Sequence, residues 1–213
     1  MKKAYLLGAV ICIALVGTVS YHLHQEEPKP NYGPLVFSSL EELGDAVNAV
    51  QKEQSSKFTQ EYAAQVDEYA LDELSFCYAP KNVPHNATLS EIRVKDRYVA
   101  IYYTLDIPLE EPVRGEESGK NELLGTMIFE WIRTEDGPEL LRNTVEQQEL
   151  LPLKENGEIY YSDIFWPGEP ENILAKQLFW VQDGYMFSMH VPLSAFSQEM
   201  EENSVSAEMK LLY

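Results

Sequence analysis

The sequence predicts an α+β fold: helices packed on one face of a curved antiparallel meander sheet, behind an N-terminal membrane segment. Three observations carry this. Apolar residues recur at helical spacing from Ser38 to Ala70. From Leu89 onward the period changes to two. Asp183-Gly184 then sits between two apolar runs, a strong hairpin signal.

Lys2 and Lys3 precede Ala4–Leu23, a 20-residue run without Asp, Glu, Lys or Arg. As a helix it would span about 30 Å, the thickness of a bilayer core. Two lysines before it and Glu26 and Glu27 after it place the N-terminus in the cytoplasm. An uncleaved anchor competes with a cleaved signal peptide ending near Thr18-Val19-Ser20. A third reading lipidates Cys12, although Ile11 occupies a position that normally needs a small residue. Each places the remainder outside the cytoplasm: on the cell membrane if anchored, secreted if cleaved. The organisation expected is thus residues 1–24 as signal anchor or signal peptide, 25–34 as linker and 35–213 as the extracytoplasmic domain. The linker holds Pro28, Pro30 and Pro34 and no apolar period.

The domain begins with a helix over Ser38–Gln54. Ser38 or Ser39 caps it, Glu41 or Glu42 completes a capping box, and Leu40, Leu43, Val47 and Val50 form its stripe. A second helix is expected over Lys57–Ala70, with Phe58, Tyr62, Val66 and Tyr69 on one face. Leu74–Tyr78 is a short strand, stopped by Pro80 and Pro84. Leu89–Val94 and Arg97–Ile107 form a hairpin through Lys95-Asp96, which sets Ile92 opposite Val99.

Pro108–Asn121 is a long solvated loop rich in Glu, Pro and Gly. Leu123–Arg133 is a strand with Met127, Phe129 and Trp131 alternating, turned by Glu135-Asp136-Gly137-Pro138. Leu140–Leu151 suits a strand or a short helix. Ile159–Phe165 is a strand ended by Pro167-Gly168. The Asp183-Gly184 turn pairs Trp180 with Phe187 and Leu178 with Met189 within Ala175–Val191. Leu193–Glu202 is a short acidic helix, and Ser206–Tyr213 adds a last strand.

Charge narrows the function classes. Without Lys2 and Lys3 the chain has 14 basic against 35 acidic residues. Such a surface disfavours nucleic acid, whose phosphates need Lys and Arg, and adhesion to anionic membranes. Cys77 is the one cysteine beyond the membrane segment, so no disulfide forms within the domain. It lies in the apolar run Leu74–Tyr78 and is expected to be buried and structural.

Chemistry-bearing motifs are scarce. His22 and His24 flank the membrane run, His85 sits in a turn, and His190 falls opposite Gln177 on the hairpin. None has zinc-ligand spacing. There is no nucleophile elbow and no phosphate loop. No residue is assigned a catalytic, cofactor-binding or metal role, and no cofactor is implied. Glu110, Glu111, Glu116 and Glu117 offer carboxylates for weak calcium binding but lack the ladder of an EF-hand. Asn86-Ala87-Thr88 is a glycosylation sequon, relevant only to a eukaryotic secretory route. Tyr98 and Tyr102 fall on the strand face opposite Val99, Ile101 and Tyr103, an aromatic set suited to peptide or glycan contact.

Tyr78-Ala79-Pro80-Lys81-Asn82-Val83-Pro84, Leu89-x-x-Ile92 and Tyr98-Val99-x-Ile101-x-Tyr103 resemble uncharacterised single-span proteins of Gram-positive gut bacteria. Phe179-Trp180-Val181-x-Asp183-Gly184-Tyr185-x-Phe187 is similar to the C-terminal hairpin of domains of unknown function outside anti-sigma factors. The resemblance covers about a third of the chain, rests on structural residues and supplies no catalytic group. It implies an extracytoplasmic domain and envelope sensing. The expectation is a non-enzymatic module binding an envelope protein or peptide. The alternatives are a carboxylate-dependent hydrolase and a calcium-dependent module.

Overall fold

The computed structural model describes residues 33–51, 71, 74–95, 98–106, 125–134, 136–153, 158–166, 169–196 and 205–212. Strand is the majority state of these residues, which corrects the α+β expectation. The order is β1 (Leu35–Phe37), α1 (Leu40–Gln51), β2 (Phe76–Pro80), β3 (Ala87–Lys95), β4 (Tyr98–Leu105) and β5 (Thr126–Ile132). Then come α2 (Gly137–Gln148), β6 (Leu151–Pro152), β7 (Ile159–Trp166), β8 (Glu169–Gln182), β9 (Tyr185–Pro192) and β10 (Ala207–Leu211).

Eight strands form one sheet in the order β1-β3-β4-β5-β9-β8-β7-β6, and β10 pairs with β2 in a second sheet. The single meander expected is in fact two. β3–β5 and β6–β9 run in opposite directions across the sheet and meet where β5 pairs with β9. The meeting is apolar on its inner side: Phe129 lies opposite Met189 and Trp131 opposite Phe187. Period-two patterning identified these strands but carries no information about which strand adjoins which.

The helical expectation fails in a specific way. α1 forms as expected, and the Ser39 hydroxyl accepts the Glu42 N–H at 3.1 Å. Glu42 reaches back to the Ser38 N–H at 2.7 Å, and this backbone bond holds its carboxyl below the usual range. Leu43, Ala46 and Val47 are buried on its inner face. The helix expected over 57–70 lies outside the described residues. The second described helix is instead α2, on the segment whose state the pattern left open. It starts at Gly137, inside the stretch expected to be a turn, because Pro138 suits the first helical turn. Leu193–Ala195 is a turn, and the rest of the helix expected there lies outside the described residues. So do the membrane segment, all but Gly33 and Pro34 of the linker, and the 108–121 loop. Among the described residues no helix is long and apolar enough to cross a membrane.

Register follows the turns. Asp183 and Gly184 have φ of 52° and 84°, the left-handed pair that an Asp-Gly hairpin adopts. Trp180 faces Phe187 and Leu178 faces Met189, as expected. The β3–β4 hairpin closes one residue later than expected, so Ile92 faces Ile101 and Val94 faces Val99. The shift moves each partner by two residues, so the same side chains stay on the core face.

The core lies on that face, under α1 and the β2–β10 sheet. Phe129, Trp131, Phe187, Ile92, Ile101 and Tyr78 are almost fully buried there. Aromatic rings interlock: Tyr78 meets Trp131 edge-on at 5.3 Å and Phe187 at 5.1 Å, and Trp180 stacks on Phe187 at 5.3 Å. Cys77 is buried as expected, and burial pushes its thiol up to about 12. α2 covers part of the opposite face through Leu141, against Phe179 and Met186.

Candidate functional site

On the face opposite the core, one row of residues crosses four strands. Arg93 lies opposite Ala100, Ala100 opposite Glu130, and Glu130 opposite Ser188. Ala100 contributes only a methyl group, so the side chains around it reach over it. Tyr98 and Tyr102 stand two residues either side of Ala100 on the same face.

These side chains form two linked polar groups. The Tyr98 hydroxyl donates to Glu130 Oε1, and Ser188 Oγ donates to Glu130 Oε2 at 2.7 Å. Burial raises the Glu130 carboxyl above its usual range, opposed by these two hydroxyl bonds. Burial also raises the Tyr98 phenol, and the neighbouring Glu130 charge adds to it. Beside them the Arg93 guanidinium lies 4.4 Å from the centre of the Tyr102 ring and donates to its hydroxyl at 3.5 Å. Arg93 also pairs with Glu91. Burial raises the Tyr102 phenol, while the Arg93 charge acts against it.

Chemically this is a protonatable carboxyl with both oxygens engaged, next to an arginine–tyrosine stack. Among the described residues the hydrogen bonds to the Glu130 carboxylate come from two hydroxyls, Tyr98 and Ser188. The cavity between Asn82, Met189, Val205 and Ser206 measures about 10 Å³, room for a single water. Among the described residues no group of three His, Cys, Asp or Glu side chains converges for a metal. The calcium candidates Glu110, Glu111, Glu116 and Glu117 lie outside the described residues.

Sequence reasoning placed Tyr98 and Tyr102 correctly, opposite Val99 and Ile101. It missed Glu130, Ser188 and Arg93. Glu130 sits between Phe129 and Trp131, where alternation predicts a solvated side chain. Only the β4–β5 and β5–β9 registers bring Tyr98 and Ser188 to it. The histidines do not meet: His85 is exposed in its turn, and His190 is buried in β9 opposite Gln177. The Asn86 amide of the sequon donates to the Asp106 carbonyl at 3.1 Å.

A second polar group lies near the far end of the sheet. Lys176 pairs with Asp163 at 2.8 Å and lies over the Tyr161 ring at 4.4 Å. Its charge is fully compensated, and the cluster ties β7 to β8. Comparison with known proteins adds no relative: no family model, no curated protein and no solved structure matches this chain.

Proposed function

We propose that this chain is a membrane-anchored, extracytoplasmic binding module that engages an envelope protein or peptide without catalysis. The observation that supports it best is the Arg93–Tyr102 stack. Arg93 keeps 41% of its side chain exposed while its guanidinium is held by Tyr102 and Glu91. Arginine and tyrosine fixed on a rigid sheet lose little rotamer freedom when a partner binds, which is why such pairs anchor interfaces. The apolar run at 4–23 behind Lys2 and Lys3 supports the anchor, and the resemblance to envelope-sensing domains agrees with the setting.

The test is a crosslinking pull-down from intact cells with a C-terminal tag. A stoichiometric envelope partner is expected with the natural chain. It should be lost with Tyr102→Ala and with Arg93→Ala while each variant still unfolds in one cooperative transition. Recovery of the same partner by both variants would place the contact elsewhere, and finding the chain free in the cytoplasm would end the proposal.

A second reading, the carboxylate-dependent hydrolase, is favoured by one observation: Glu130 holds its proton above the ordinary carboxyl range. It requires that any hydrolysis by the purified chain vanish in Glu130→Gln. Activity surviving that change removes Glu130 from the chemistry.

A further inference from the structure

β10 is the outer strand of the two-stranded sheet. Ser206 and Leu212 bond back toward β2: the Ser206 carbonyl accepts the Lys81 N–H, and the Leu212 N–H reaches Ser75 O. Backbone groups alternate along a strand, so those of Ala207, Met209 and Leu211 point to the outer edge. At Ala207 they are already taken by a side chain. The Gln182 amide donates to Ala207 O and accepts from Ala207 N, both at 2.9 Å, as a neighbouring strand would. Beyond that point the edge shows exposed apolar side chains, Met209 at 49% and Leu211 at 71%.

We propose that this edge pairs with β10 of a second copy, antiparallel and centred on Met209. The five residues Ala207-Glu208-Met209-Lys210-Leu211 are complementary to their own reverse. About a two-fold axis Met209 meets Met209 and Ala207 meets Leu211, which buries the exposed apolar side chains on one face. On the other face each Glu208 meets a Lys210. These rungs replace the exposed Lys210–Glu208 pair within one strand, at 2.7 Å, by two pairs between strands. A foreign strand would have to supply that order of charges by chance, whereas a second copy always does. The Gln182 amide competes with the incoming Leu211 backbone and swings aside when the pair forms. With five residues a side the contact belongs to the weak, transient class.

The test uses the full chain in its native membrane, with Cys12→Ser and Met209→Cys. Directly opposed residues in a hydrogen-bonded pair lie about 5.5 Å apart at Cα, within disulfide range. Mild oxidation is expected to give a dimer. Adding Glu208→Lys or Lys210→Glu sets like charges on both rungs, and each should lower the crosslinked fraction several-fold. The double exchange Glu208→Lys with Lys210→Glu should restore it. These surface changes should leave the melting temperature unchanged. No crosslink at position 209 would overturn the pairing. So would equal crosslinking in all charge variants, or an adduct of another protein that the double exchange fails to restore. The outcome is independent of the Arg93–Tyr102 surface, because those residues are untouched.

Discussion

Glu130 is the residue whose environment departs furthest from what its position suggests. Its carboxyl is held above the usual range by burial. Such a group contributes stability below its unfolded value and loses it as pH rises through the folded value. The natural chain should therefore lose stability relative to Glu130→Gln as pH rises from below 4.5 toward neutrality. Thermal melting of both proteins across that window checks the sign. A fixed offset between the two curves would show that Glu130 does not titrate there. Tyr78 offers a simpler case. Its hydroxyl donates to Asp183 Oδ2 at 3.0 Å, and its phenol is pushed up to about 12, first by burial. Tyr78→Phe keeps the ring packing and removes the bond, at a cost of about 1 kcal/mol in denaturant unfolding. Neither partnership is visible in the sequence. Glu130 looks like a solvated strand residue, and Asp183 is fully explained by its turn.

At the level of elements, the β8–β9 hairpin and α2 depend on each other. The Gly137 N–H donates to Gly184 O at 3.1 Å, and a Cβ on Gly137 would lie 2.3 Å from that same oxygen. Replacing a helical glycine by alanine normally stabilises by about 0.5–1 kcal/mol. Here backbone meets backbone and neither can yield cheaply, so Gly137→Ala should destabilise. Gly184→Ala meets no atom within 4 Å and loses only its left-handed freedom, about 1–2 kcal/mol. Equilibrium unfolding should rank Gly137→Ala as the more damaging, against the helix-propensity order. The elements differ in how far the sequence shows them. The Asp183-Gly184 hairpin was legible down to its cross-strand pairs because two residues with positive φ fix the register. α1 was legible because cap and stripe agree. α2 was not, because Gly137-Pro138 suits a turn as well as a helix start, and the choice is made by docking on Gly184. The sheet order is not legible for a related reason. Local periodicity shows strands one by one, but the pairing of β5 with β9 is a non-local event.

Across the whole molecule, one turn gathers three remote parts of the chain. Asp183 accepts from Tyr78 of β2, Gln182 brackets Ala207 of β10, and Gly184 accepts from Gly137 of α2. The segment after β10 also reaches α1, where the Asn48 amide donates to Leu212 O at 3.3 Å. Leu212 is itself buried in the core. Leu212→Ala should cost about 2–5 kcal/mol. Deleting residues 207–213 should abolish cooperative melting and expose the Tyr78–Trp131 aromatic cluster to a hydrophobic dye. A truncated chain that still melts in one sharp transition would show that the eight-stranded sheet stands alone.

β2 pairs with β10, yet in the chain nearly the whole of the large sheet separates them. A polypeptide made, or threaded across a membrane, from its N-terminus has Phe76–Pro80 available long before Ala207–Leu211 arrives. Closing so long a loop is slow, and the waiting strand is apolar. In that interval Phe76–Pro80 waits without the strand that pairs with it in the folded chain, and its apolar side chains are covered only when Ala207–Leu211 docks.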